Sequence, residues 1–303
     1  MSILLTGRSG FIGKYLANYA DVSRVVVRNG SNLLNESVYC IDSFNDMTDW
    51  SGAFDGITSV IHLAALAHSN NYTFNDYQEV NVKGTLNLAR QCVLYGVKRF
   101  VFVSSIGVNG ISTDEIPFSA ESIENPHSDY ARSKYEAELG LKNIASETGL
   151  EIVIVRPTLV YGPDAPGNFG LLTKLITILP FLPFGRSCNR RNFIAVQNLA
   201  DLLVTCATHP NANGHIFLAS DGETVSIKEF TNAIAYGLGK RVIQLPIPVS
   251  LISFLGYLIK KSDMVEQLFG NLEVDSTNIN KILGWVPPLT MTQAMHSLRR
   301  SGE

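Results

Sequence analysis

The sequence predicts an α/β fold, a doubly wound parallel sheet followed by a smaller, mainly helical region. Short β-branched or aliphatic runs alternate with stretches of helical period through the first two-thirds of the chain, as parallel strands joined by helical crossovers require. The first run, Ile3-Leu4-Leu5-Thr6, passes into Gly7-Arg8-Ser9-Gly10-Phe11-Ile12-Gly13 and then into helix formers from Lys14 to Tyr19, the order of buried strand, tight turn and helix. From Ser226 onward, helical segments are separated by turns containing proline and glycine.

Composition bounds the function. The 303 residues, 46% of them hydrophobic, suffice for one large α/β domain and a smaller partner. With 24 basic and 27 acidic residues the net charge is −3, an excess too small to draw the chain to nucleic acid or an anionic membrane, which leaves small-molecule chemistry. Cys40, Cys92, Cys188 and Cys206 form neither a Cys-x-x-Cys pair nor a histidine-linked pattern, so reduced, buried thiols and no metal site are expected. A strand beginning at Ile3 leaves no room for a leader, and a cytoplasmic location is expected. Val242 to Ile259 approaches membrane length, but Gln244, Pro246 and Pro248 interrupt it and Ser250 and Ser253 punctuate the rest. It reads as a loop followed by a buried helix, without membrane insertion.

In the first turn, Gly7 permits the sharp exit from the strand, Gly10 lets backbone N–H groups approach an anion, and Gly13 lets the helix pack on the sheet. Such a turn suits the pyrophosphate of a dinucleotide at the helix N-terminus. Arg24 to Arg28 is a second buried strand, closed by an Asn29-Gly30 turn. An acid near its end would bind the ribose hydroxyls of NAD; Arg28 stands there instead, either paired with the 2′-phosphate of NADP or simply facing solvent. Val38 to Ile41 is a third strand, Met47 to Phe54 a short helix around Trp50, and Thr58 to Ala65 a strand ending in small residues. His62 reads as a packed core imidazole and His68 as a loop residue. Asn75 to Tyr95 has the spacing of a long helix.

Lys98 to Val103 is a fifth strand that delivers Ser104-Ser105 to its carboxyl end, the edge at which open parallel sheets bind ligands. Tyr130-Ala131-Arg132-Ser133-Lys134 opens a helix running to Thr148 and sets a phenol and an ammonium four residues apart on one face. A nearby cation favours phenolate, so Lys134 is expected to lower the pKa of Tyr130. Ser105 can hydrogen-bond the same substrate oxygen, and a nicotinamide positioned by the glycine turn would exchange hydride with the adjoining carbon. Glu151 to Arg156 is a sixth strand, Asn198 to Thr208 a helix, and His215 to Ala219 a strand returning to the main sheet.

Together, Thr6-Gly7-x-x-Gly10-Phe11-Ile12-Gly13, the strand ending in Ser105 and Tyr130-x-x-x-Lys134 resemble the extended short-chain dehydrogenase/reductase family. Within it, the likeness is to the nucleotide-sugar epimerase/dehydratase group (UDP-glucose/UDP-galactose 4-epimerase-like), from Thr6 to beyond Arg191. The resemblance implies a Rossmann-type domain (1–163 plus 195–221) and a cap that binds the nucleotide sugar (164–194 plus 222–303). It implies that His62-Leu63-Ala64-Ala65 lines the cofactor pyrophosphate and ribose, and that Asn81, in Asn-Val-x-Gly-Thr, braces the backbone around the site. Asp42-Ser43-Phe44 only approximates the Asp found beside the adenine. Arg156-Pro157-x-x-Val160-Tyr161-Gly162-Pro163 would lead past the nicotinamide into the substrate region. Asn168 would bond phosphate or sugar, unless it is a plain turn residue, and Arg191 would pair with the diphosphate of a UDP-sugar. Asn192 and Ala195 depart from that last pattern, and Gly284-Trp285-x-Pro287-Pro288 resembles a turn common near the end of these enzymes.

The function so implied is a C4 epimerase of a UDP-hexose or UDP-N-acetylhexosamine, with Tyr130 as acid and base. An NAD(P)H-dependent 4-ketoreductase uses the same residues, and Arg28 leans toward it. A 4,6-dehydratase lacks its Asp-Glu pair, since Ser105 is followed by Ile106-Gly107. A non-catalytic dinucleotide sensor is permitted by the fold, although both Tyr130 and Lys134 are kept. The family further implies a homodimer through the two long helices and a role in surface polysaccharide synthesis.

Overall fold

The computed structural model describes residues 2–20, 22–29, 37–67, 71–258 and 262–299. The chain opens with β1 (Ile3–Thr6), α1 (Phe11–Tyr19), β2 (Arg24–Arg28), β3 (Val38–Ile41) and β4 (Ser59–His62). A helical run then divides into α2 (Phe74–Tyr77), a π-helical stretch over Gln78–Gly84 and α3 (Thr85–Leu94), followed by β5 (Arg99–Val103), α4 (Asp129–Thr148) and β6 (Glu151–Pro157). Next come β7 (Leu159–Tyr161), α5 (Gly167–Ile178), β8 (Phe181–Leu182), β9 (Arg191–Ala195), α6 (Val196–Thr208), β10 (Ile216–Ala219), β11 (Thr224–Val225) and α7 (Ile227–Gly237). The last elements are β12 (Ile243–Gln244), α8 (Val249–Leu258), α9 (Ser262–Phe269), α10 (Thr277–Leu283) and α11 (Met291–Met295).

Seven strands form one parallel sheet in the order β10-β6-β5-β4-β1-β2-β3. Winding proceeds outward in both directions from β1 and β4, so the carboxyl ends of these two strands border the crevice where such sheets bind ligands. The strand sequences explain the two-sided burial. Leu4, Phe100, Phe102, Ile152 and Ile154 face one layer, with Leu88, Ala89 and Leu141 from α3 and α4. Their neighbours Ile3, Leu5, Val101, Val103, Val153 and Val155 face the other, with Leu16 of α1 and Leu199 and Leu203 of α6.

A third core lies under the cap. Tyr161, Phe169, Phe193 and Phe230 meet there, the rings of Phe193 and Phe230 stacked 3.8 Å apart. Two small sheets flank it, β11-β9-β7 and β12-β8. Residues expected to belong wholly to the cap also return to the main sheet: Ile279, Leu283 and Trp285 join the core beneath α1 and α6, and the Trp285 indole donates to Asp201 at 2.6 Å.

Several expectations change. Met47 to Phe54 forms turns instead of a helix, because Asn45, Thr48 and Asp49 spend their side chains on local backbone groups and Gly52 takes φ +78°; Trp50 is nonetheless buried. The run from Asn75 to Tyr95 is helical but widens into its π segment. There Gly84 lies against Phe44, and a Cβ at this position would stand 2.6 Å from that ring. The helix expected to be buried, α8, leaves Leu251, Phe254, Tyr257 and Leu258 exposed, and among the described residues no helix is long and apolar enough to cross a membrane. Cys92 and Cys206 are buried as expected, but Cys40, on the outermost strand β3, and Cys188, in a loop, are exposed; all four are free. Gly30 and His68 lie outside the described residues.

Candidate active site

The first turn is shaped as its glycines predict. Gly7 adopts φ +75°, and a Cβ there would stand 2.6 Å from the Ala64 nitrogen, so the loop rests directly on the end of β4. A Cβ on Gly13 would fall 2.1 Å from the Gly7 carbonyl oxygen. The Gly10 N–H donates to Gly7 O at 3.0 Å and tightens the turn, and no side chain caps the first-turn amides of Phe11, Ile12 and Gly13. Leu63, Ala64 and Ala65 border the same place, partly buried, and Thr6 Oγ1 accepts the Ala64 N–H at 3.2 Å. An uncapped helix end, a loop that only glycine fits and a strand ending in small residues fit a dinucleotide pyrophosphate. Arg28 is exposed at the carboxyl end of β2, and Asp42, beyond β3, bonds Asn29.

His62 is the core imidazole expected. It is fully buried, bonded to Thr6 Oγ1 at 2.7 Å and Thr85 Oγ1 at 2.9 Å, and stacked on Phe44. Burial, with the charge of Lys134 adding to it, holds its pKa well below the usual histidine range. Asn81, in the π segment, braces the backbone. Its carbonyl accepts from Leu66 N–H at 2.8 Å, and its amide donates to Leu66 O at 3.1 Å and to Ser133 Oγ at 3.0 Å.

The three groups expected to carry the chemistry come to one edge. Lys134 Nζ donates to the Val103 carbonyl at 2.9 Å and lies 4.7 Å from the centre of the Phe102 ring. Two residues beyond Val103, Ser105 begins a 3₁₀ turn over Ile106–Val108, its Oγ accepting the Gly107 N–H at 3.1 Å. A Cβ at Gly107 would lie 3.3 Å from Ser105 Oγ and 3.5 Å from Ala131 Cβ, which sets the serine against the first turn of α4 beside Tyr130. Ser128 caps that turn by accepting the Ala131 N–H at 3.1 Å. The Tyr130 ring, partly open to solvent, meets Tyr77 edge-on at 6.2 Å.

Electrostatics here depart from the expectation that Lys134 lowers the phenol. Burial pushes Tyr130 up to about 12, with Tyr77 adding to it, and pushes Lys134 down to about 7 against the opposing charge of Glu138. Burial is the first cause of both shifts. Sequence reasoning also missed Glu138 and gave Arg156 no role of its own. The two form an ion pair with both side chains fully buried, Nη2 to Oε2 at 2.5 Å. The available signal was the spacing of Tyr130, Lys134 and Glu138 by fours.

In the cap, Asn168 and Arg191 are drawn to one segment. Asn168 Nδ2 donates to Gln267 Oε1 at 3.1 Å, and Arg191 Nη1 to the Gly270 carbonyl at 2.8 Å. Asn168 is exposed, whereas Arg191 is buried, which pushes its guanidinium down to about 10. The neighbouring Arg190 forks onto Glu273, both bonds at 2.8 Å. Residues 271–275 tie this side to the loop after Ser105: Thr113 N–H donates to Asn271 O at 2.9 Å and Phe118 N–H to Glu273 O at 2.9 Å. Pro157 is buried at the end of β6, and Gly162, past it, would press a Cβ to 2.7 Å from Val196 and 3.5 Å from Phe11. Among the described residues no cluster of His, Cys, Asp and Glu could hold a metal.

Residues 3–220 match the model of the NAD dependent epimerase/dehydratase family. A UDP-glucose 4-epimerase of Vibrio cholerae is 41% identical over 303 aligned residues, covering 96% of this chain and 92% of that protein. Among solved structures, a Thermotoga maritima UDP-glucose 4-epimerase with UDP-glucose superposes with a TM-score of 0.76 at 22% identity, covering 100% of both chains. A Bacillus cereus UDP-glucuronic acid 4-epimerase in complex with NAD gives 0.75 at 21% identity, covering 99% of this chain and 98% of that one. At such identities the two structures speak to the fold alone.

Proposed function

The chain belongs to the NAD dependent epimerase/dehydratase family, and on that premise we propose that it is a nucleotide-sugar 4-epimerase acting on a UDP-hexose or UDP-N-acetylhexosamine. The observation that carries the reading is the meeting of Lys134, Ser105 and Tyr130 at the end of β5, with Lys134 anchored on Val103 O and Ser105 two residues further on. The Vibrio cholerae relative, by its name, supplies the substrate class.

Gly7, Gly10, Phe11, Ile12, Gly13, Leu63, Ala64 and Ala65 would hold NAD, with Asn81 and Pro157 shaping the walls. When bound, NAD would supply a hydride acceptor and, in its oxidised form, a positive charge. Tyr130 takes the proton of the C4 hydroxyl and later returns it. Its high resting pKa suits the return, and a cation beside it is needed for the removal. Ser105 hydrogen-bonds the same oxygen as its charge changes. Lys134, held on Val103 O, provides positive charge beneath it. Arg191 and Asn168 would hold the diphosphate and sugar, a task suited to the guanidinium fork.

A second reading has one supporting observation: Arg28, exposed at the end of β2, suits the 2′-phosphate of NADP and hence a 4-ketoreductase. Denaturing the purified protein and identifying the released nucleotide by mass spectrometry, then offering UDP-glucose, UDP-galactose and their N-acetyl forms, separates the two. Retained NAD with interconversion of a C4 pair supports the epimerase. A protein that carries no nucleotide and consumes NADPH only with a 4-keto sugar replaces it with the reductase. The same reading carries a homodimer through α3 and α4, where Leu94 and Tyr95 at the end of α3 and Leu139 midway along α4 are exposed, and sedimentation at micromolar concentration tests it.

A further inference from the structure

We propose that Glu138 and Arg156, a charge pair closed off from solvent, are positioning residues that hold Tyr130, Lys134 and Ser105 in register; the proposal rests on the epimerase reading above. Glu138 follows Lys134 by four residues and Tyr130 by eight, so the three side chains share one face of α4. Its carboxylate accepts from Arg156 Nε at 2.9 Å, from Arg156 Nη2 at 2.5 Å and from the Ser104 hydroxyl at 2.5 Å. Arg156 spends the rest of its fork on Asn109 Oδ1 at 3.0 Å and Glu124 Oε1 at 3.1 Å. One ion pair thereby joins α4, the end of β5, the end of β6 and the loop that follows Ser105. Each tie adjoins a group assigned to the site: Ser104 precedes Ser105, Arg156 precedes Pro157, and Glu138 lies one helical turn from Lys134.

Stability alone is a poor reason for such a pair. Desolvating two ions is costly, and apolar side chains of similar volume often replace a buried pair without loss. Leu141 and Ile154, fully or almost fully buried, show that the same interface accepts them. What the pair adds is direction, because a carboxylate gripped through two guanidinium nitrogens fixes angle as well as distance. A purely apolar contact would let α4 turn or slide on the sheet, and displacement of reacting groups by about 1 Å can cost about a hundredfold in rate.

The charges balance in the same way. Lys134 and Arg156 are buried cations on either side of Glu138, and Glu124 is a second carboxylate set against Arg156. The groups facing the Lys134 ammonium include Glu138 on its own helix, the Val103 carbonyl and Phe102 ring from β5, and the imidazole of His62 from β4. Glu138 supplies the negative charge that opposes the desolvation of Lys134.

The test uses the full-length holoenzyme and two variants. In Glu138→Leu/Arg156→Met, we expect a melting temperature close to wild type but kcat lower by about tenfold to a hundredfold, with KM changed by less than about threefold. Wild-type kcat in that variant overturns the proposal. Should it not fold, Glu138→Gln decides. Here kcat falls, and the pKa of Lys134, followed by NMR of lysine labelled with ¹³C at Cε and assigned through Lys134→Met, moves down. Wild-type kcat with an unmoved lysine resonance overturns the proposal. The epimerase reading fails separately, if the wild-type protein interconverts no C4 pair.

Discussion

At the carboxyl edge of the main sheet, Ser105 follows β5 and Tyr130 and Lys134 stand on α4, both elements held by packed core residues. In the cap, Asn168 and Arg191 take their partners from 267–270, a segment at the end of α9, and nearby α8 turns apolar side chains to solvent. The first region buries a charge pair between packed elements, and the second rests the Arg191 guanidinium on a backbone carbonyl. Rigid elements suit proton transfer, where small displacements are costly, whereas recognition tolerates adjustable partners.

The sharpest way to break this comparison is at the reacting groups. Tyr130→Phe is expected to lower kcat by about 10²–10⁴, with little change in melting temperature. Kinetics on the variant check this, and retained activity would remove Tyr130 from the chemistry. Lys134→Met is expected to lose activity comparably and to gain stability. The sign follows from the lowered pKa. Below about 7 the native state carries a buried ammonium and bears its full desolvation cost, and that cost is relieved as pH rises from about 7 toward the unfolded value of 10.5. The stabilisation by methionine is therefore largest below pH 7 and fades at alkaline pH, which thermal melts across that range will show.

A smaller effect is expected in the cap. Arg191→Ala should raise KM for the nucleotide sugar by about tenfold to a hundredfold, the worth of a charged hydrogen bond, while kcat moves little. A kcat effect as large as that of Tyr130→Phe would erase the distinction between the regions. Gly84→Ala, which presses a methyl against Phe44, should destabilise by about 1–3 kcal/mol, read from denaturant unfolding. Asn168→Ala, at an exposed position, should change KM by less than about threefold.

The seven strands of the main sheet were legible because each carries a continuous apolar run, whereas those of the two small sheets were not read, and the Tyr130–Lys134 face was legible because a helix brings residues four apart together whatever surrounds it. The shape of the glycine turn was legible for a similar reason, since φ +75° at Gly7 and the close approach of Ala64 leave room for no side chain. Asn81 was placed correctly as a brace through a motif, but its partners Leu66 and Ser133 come from other parts of the chain. Met47 to Phe54 was read as a short helix around Trp50; the side-chain bonds of Asn45, Thr48 and Asp49 make turns the better solution.

By itself, then, the sequence determined the parallel sheet, the glycine turn and the placing of phenol and ammonium on one helix face, all of which follow from local period and backbone sterics. Only the tertiary structure decided that α8 faces solvent, that Gly10 closes the turn on Gly7, that burial lifts Tyr130 and lowers Lys134, and that Glu138 meets Arg156 beneath them. Solvent exposure, desolvation and ion pairing between distant residues depend on which surfaces the whole chain brings together, and no window of neighbouring residues contains that information.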